Sequence, residues 1–150
     1  MSPLELTTIR RKLTYLLEDL ALLEPVSKLD LEVWQSDVDR HDASEHRLQR
    51  CIEAAIDINA HLLVSMGHPA PADAFQSFID LSDKLQVISR KLAEQLAPSS
   101  GLRNRLVHRY DVFNEARVLE GIQDAVAAFP QYAASVQAYL DKLPPDDTAD

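Results

Sequence analysis

The sequence predicts an all-α protein, an up-and-down bundle of four or five helices, and three observations carry that reading. Apolar residues make up 46% of the 150 residues while only three are Gly, and Ala, Leu, Glu, Gln and Arg recur throughout, a composition suited to helices rather than strands. Several stretches place apolar residues three and four apart, the pattern of a helix that buries one face. Capping or helix-breaking residues bound those stretches. A chain of this length has room for one continuous core, so one domain over residues 1–143 is expected. The acidic tail at 144–150 has too little to bury to offset the entropy of ordering it.

Taken in order, Ser2-Pro3-Leu4-Glu5 reads as a capping box with Pro at the first helical position. Leu6, Ile9, Leu13, Leu16, Leu17 and Leu20 then follow helical spacing up to Glu24-Pro25. Residues from Val26 to Asp42 are mixed and acidic, hold Trp34, and fit either a short helix or an ordered connection. A long helix is expected from Ala43 to Met66, with Leu48, Cys51, Ile52, Ala55, Ile56, Asn59, Leu62 and Leu63 on its stripe and Gly67 as C-cap. Asp73 is placed to cap a short helix through Leu81, and Ser82 or Asp83 to start another through Leu96. Pro98-Ser99-Ser100-Gly101 breaks the pattern. Asn114 caps a last helix carrying Val118, Leu119, Ile122, Val126 and Phe129, and Pro130 is expected to kink or divide it before Val136, Tyr139 and Leu140.

Composition also narrows the function. No stretch approaches the roughly 18 apolar residues that cross a bilayer, and no leader pattern is present, so a cytoplasmic chain is expected. Cys51, the lone cysteine, lies on an apolar stripe and is read as core. A formal charge of −9 excludes a broad basic surface for long nucleic acid, because counterion release needs clustered Lys and Arg. Any nucleic-acid contact is therefore local. The few glycines, Gly67, Gly101 and Gly121, form no phosphate-cradling loop, and no cofactor is expected.

One segment stands apart. Leu102-Arg103-Asn104-Arg105-Leu106-Val107-His108-Arg109-Tyr110-Asp111 puts three arginines and a histidine within seven positions of an acidic chain. Guanidinium groups are the preferred fork for phosphate oxygens. Read from charge alone, such a segment is commonly a solvated helix end.

The spacing of Arg103, His108 and Tyr110, R-x4-H-x-Y, resembles the signature of HEPN ribonucleases, in particular the HepT (DUF86) family, and Asn104 after the arginine fits it too. The similarity extends from about Leu48 to Asn114. It takes in Glu53-Ala54-Ala55-Ile56-Asp57-Ile58-Asn59-Ala60-His61, which looks like that family's second helix, and Gly101-Leu102-Arg103-Asn104, which looks like the start of its motif. The resemblance implies a HEPN-like homodimer acting as a metal-independent endoribonuclease, the toxin of a type VII pair, on RNA, with tRNA one substrate known in the family. Arg103 and His108 would be catalytic. Tyr110 would receive AMP from an MntA-type nucleotidyltransferase antitoxin. Arg105 and Arg109 would support the cleft.

That chemistry needs no metal. An imidazole can move a proton near neutral pH, while a guanidinium holds a crowded phosphorus. Positions five apart on a helix diverge by about 140°, so either the helix tightens or ends near His108, or two copies of the segment face each other across a two-fold axis.

Weaker constellations remain. Asp57 and His61, four apart, could pair and orient groups in the cleft, although a purely structural pair is the simpler reading. His41, Asp42, Glu45 and His46 are ligand-type residues in a stretch expected to be exposed, with nothing to close a site, and no metal is expected. Two rival functions are a non-catalytic helical module that binds a nucleotidyltransferase and its substrate, and a plain dimerisation protein.

Overall fold

The structure is a computed structural model that describes residues 1–107 and 114–144. Among them are seven α-helices and no strand: α1 (Pro3–Leu23), α2 (Leu31–Ser36), α3 (Val38–Ser65), α4 (Ala74–Asp83), α5 (Arg90–Leu96), α6 (Ser99–Val107) and α7 (Glu115–Lys142). A 3-10 turn at Val26–Lys28 links α1 to α2. The long helices α1, α3 and α7 form the bundle, α4 and α6 pack on α3, and α5 lies against α4 and α7. None of these helices is long and apolar enough to cross a membrane.

Local chemistry sets the helix ends. The Ser2–Glu5 capping box forms as the sequence dictates, with the Ser2 amide donating to Glu5 Oε2 at 2.7 Å. On α1 the buried apolar positions are Ile9, Leu13, Leu16, Leu20 and Leu23. Leu17, expected on that stripe, is 46% exposed, because it lies about 80° around the helix from Ile9. The undecided Val26–Asp42 region resolves into the 3-10 turn, α2 and the start of α3. Helix α3 begins earlier than expected, since Asp37 caps it by accepting from the Arg40 amide at 3.1 Å. It ends as expected at Gly67, whose φ of +90° lets the amides of Gly67 and His68 return to Val64 and Leu63.

Asp73 caps α4, but the helix expected from Ser82 or Asp83 does not start there. Helix α4 runs on through Asp83, Gln86 turns the chain with a φ of +52°, and Ser89 caps α5. Burial of Val87 and Ile88 in the link holds that turn. Pro130 does not divide the last helix. It is exposed, so water can serve the carbonyl it strips of a partner, while Phe129, Tyr132 and Ala133 keep the surrounding turns packed.

One polar network crosses the core. The Tyr132 hydroxyl of α7 lies 2.5 Å from Asn59 Oδ1 of α3, and Asn59 Nδ2 donates to Ser77 Oγ of α4 at 3.1 Å. Burial drives the Tyr132 phenol well above its ordinary range, so it stays a donor. Cys51 is buried, as the sequence suggested, with its thiol 3.7 Å from the Leu16 carbonyl.

Candidate active site

Helix α6 starts where the sequence predicts a break. Pro98 ends the run of α5, and the hydroxyls of Ser99 and Ser100 donate back to the Leu96 and Ala97 carbonyls at 2.6 and 2.9 Å. The chain thus turns and re-enters a helix. Leu106, 6% exposed, seats α6 in the core, and half-buried Leu102 packs against that core.

Arg103 and Arg105 flank this apolar stripe on opposite sides, since two residues turn a helix by about 200°. The arginines therefore do not share one positive face of α6. Arg103 is half-buried, and its Nε is sealed from solvent without a hydrogen-bond partner among the described residues. A buried guanidinium nitrogen left unpaired is costly, and such groups concentrate at functional sites. Asn104 and Arg105 are exposed. Arg105 stands over a cavity of about 280 Å³ between α6 and α7, which has Ile52, Leu96 and Phe129 in its walls and Arg117, Glu120 and Asp124 on its rim. Burial and the neighbouring Glu120 raise the Asp124 carboxyl above its ordinary value, against the pull of Arg117.

His108, Arg109 and Tyr110 lie outside the described residues. Their segment is bracketed by described anchors: α6, which runs to Val107, and Asn114, whose Oδ1 accepts from the Ala116 amide at 3.1 Å to cap α7.

Asp57 and His61 do not pair with each other. Both lie on the side of α3 that faces α1, where Lys12 Nζ is 3.4 Å from Asp57 Oδ2 and Glu5 Oε1 is 3.9 Å from His61 Nε2. Helix α6 packs elsewhere on α3, near Leu48 and Ile52.

The stretch around His41 differs from expectation in two ways. Glu45 is buried and His41 half-buried rather than exposed, with side-chain exposures of 3% and 14%. A third group also arrives from far along the chain, because Glu115, the first residue of α7, bonds His41 Nε2 through Oε2. One ligand-type atom from each of the three lies within 4.8 Å of the others. Sequence spacing exposes the His41–Glu45 pair but gives no sign of Glu115, 74 residues away. Burial lowers the affinity of His41 for a proton, but hydrogen bonds and charge from Glu115 and Asp42 outweigh that and raise its pKa above the ordinary value.

Comparison with known proteins places this geometry. A family model described as ribonuclease HepT-like matches residues 16–136. The tRNA nuclease HepT of Aphanizomenon flos-aquae is 35% identical over 93% of this chain and 95% of its own length. The mRNA nuclease HepT of Shewanella oneidensis is 30% identical over 70% of this chain and 78% of its own. Among solved structures, the tri-AMPylated HEPN toxin of Shewanella oneidensis, in complex with its MNT antitoxin, is 28% identical. It superposes with a TM-score of 0.75 over 87% of this chain and 96% of that one.

Proposed function

Because this chain belongs to the HepT-like ribonuclease family, we propose that it is the toxin of a toxin–antitoxin pair, an endoribonuclease working as a homodimer whose cleft is lined by Arg103 and His108. The observation that carries this reading is half-buried Arg103, whose Nε has no partner among the described residues, on the helix that leads into the motif. A protein with no use for that group would gain by replacing it with an apolar side chain.

In the proposed reaction the RNA 2′-hydroxyl attacks the adjacent phosphorus. One imidazole takes the 2′-hydroxyl proton, the bond from phosphorus to the 5′-oxygen breaks, and that oxygen accepts a proton from an imidazolium. The products are a 2′,3′-cyclic phosphate and a free 5′-hydroxyl. Arg103 neutralises the charge that builds on the phosphoryl oxygens, and the scheme draws on no metal. Both proton roles fall to His108, and a two-fold dimer supplies two copies of it to one cleft.

The relatives support the rest of the reading. One is named for tRNA and another for mRNA, so the substrate is RNA, with tRNA the first to test. The AMPylated toxin with its antitoxin supports Tyr110 as the acceptor of AMP from an MntA-type nucleotidyltransferase. An adenylyl group there would add bulk and negative charge beside the arginines and repel substrate phosphate.

The test is incubation of the purified protein with bulk tRNA in chelator, beside Arg103→Ala and His108→Ala. Cutting by the wild type alone is expected. If none of the three cuts and expression does not slow growth, the chain is a non-catalytic partner of the nucleotidyltransferase. Intact mass after co-expression with that partner should show added AMP that Tyr110→Phe removes.

A further inference from the structure

We propose that His41 is a positioning residue for this reaction: by clamping Glu115 it fixes where α7 begins, and so holds the C-terminal end of the segment that carries His108 and Tyr110. The proposal rests on the functional reading above.

His41 is itself held on two sides. The buried Trp34 ring of α2 lies against the imidazole with ring centroids 4.4 Å apart. Trp34 Nε1 donates to Ser44 Oγ at 2.8 Å, and that hydroxyl donates to the His41 carbonyl at 2.9 Å. The imidazole then faces carboxylates through both nitrogens: Nδ1 is 3.2 Å from Asp42 Oδ1, and Nε2 meets Glu115 and stands 3.2 Å from Glu45 Oε1. Asp42 and Glu45 come from α3 and Glu115 from α7, while α2 contributes the uncharged Trp34. An imidazole so surrounded is a donor at both nitrogens, and its contact with Glu115 is charge-assisted.

Glu115 follows directly on the Asn114 cap, seven residues after His108 and five after Tyr110. Val107 and Asn114 bound residues 108–113, so a displacement of either anchor moves one end of the segment that carries His108 and Tyr110. The α6 anchor is set by Leu106. The α7 anchor is set by the Asn114 cap and, in the first turn of the helix, by the bond from His41 of α3 to Glu115. Core packing of α7 begins only where its first turn closes, at Val118 and Leu119, and continues at Ile122.

The experiment uses the full chain and compares His41→Ala, His41→Gln, Glu115→Gln and the double variant His41→Ala/Glu115→Gln. Each is first checked for an intact melting transition. Steady-state RNA cleavage should show kcat down about tenfold in His41→Ala with KM within about twofold, since misplacement of a reacting group acts on the chemical step. His41→Gln, which keeps one donor, should recover part of the loss. Glu115→Gln should add almost nothing in the His41→Ala background, because both act through one contact. Amide exchange in the first turn of α7 should quicken in His41→Ala. Folded variants with undiminished kcat, or losses that multiply independently, overturn the proposal. So does a rise in wild-type melting temperature on adding Zn²⁺ that His41→Ala lacks, which would make the cluster a cation site. If wild-type protein cuts no RNA, the functional reading fails instead, and unchanged amide exchange in His41→Ala would separately overturn the clamp.

Discussion

A β-carbon added at Gly121 of α7 would stand 2.2 Å from Leu102 Cδ2 of α6. The helix that carries Arg103 thus lies against α7 at a point where one hydrogen is all the space allows. The obstructing atom is the end of a leucine side chain bordering a cavity, so it can turn aside. Alanine also gains about 1 kcal/mol over glycine in a helix interior. Gly121→Ala should therefore change stability by less than about 1 kcal/mol, whereas in a Leu102→Ala background the same change should stabilise by the full ~1 kcal/mol. Urea unfolding of the four proteins checks it, and equal effects in both backgrounds would contradict the contact.

The Tyr132–Asn59–Ser77 network should show the asymmetry of buried polar groups. Tyr132→Phe removes the proton donated toward Asn59 and leaves a buried acceptor short of a partner, a loss of about 1–2 kcal/mol. Asn59→Ala strips partners from both Tyr132 and Ser77 and opens space as well, and should cost about 2–4 kcal/mol. Equilibrium unfolding gives both values.

The raised pKa of His41 has a sign that can be checked. A histidine that binds its proton more tightly when folded adds stability that is fully present below its unfolded pKa of about 6.5 and fades as pH rises through the folded value. The gap in melting temperature between wild type and His41→Gln should be widest near about pH 6 and narrow toward about pH 9. A gap that stays constant or widens would mean that the carboxylates around the ring do not hold its proton.

Much of this was legible in the sequence because it is local. The Ser2–Glu5 box, the Asp73 and Asn114 caps and the Gly67 turn each depend on residues within a few positions of one another. The motif around Arg103 is likewise written in a single run of chain. What was hidden depends on distance or on tertiary override. Gln86 takes a positive φ that glycine usually signals, because buried Val87 and Ile88 fix the link beyond it. Helix α6 begins within a Pro-Ser-Ser-Gly run that reads as a break, and Pro130 sits in an unbroken helix whose packing outweighs one lost bond. The His41–Glu115 contact spans 74 positions, and no spacing rule reaches that far. Asp57 and His61 have the spacing of a pair, yet α1 offers each a separate partner in Lys12 and Glu5.

Arg103 should show activity and stability pulling in opposite directions. Replacing half-buried Arg103, whose Nε lacks a partner among the described residues, with Met keeps the packing of the side-chain stem and removes the desolvation cost, so Arg103→Met should be neutral or more stable by up to about 1 kcal/mol. Cleavage should be lost in the same protein. Denaturant melts and an RNA assay on one preparation give both numbers, and clear destabilisation would assign Arg103 a structural role.

The most direct test is the mass of the RNA ends formed in chelator by wild type, Arg103→Met and His108→Ala. Fragments ending in a 2′,3′-cyclic phosphate from wild type, with none from either variant, are the predicted result. Fragments with 3′-hydroxyl ends, or cutting that survives both substitutions, would contradict it.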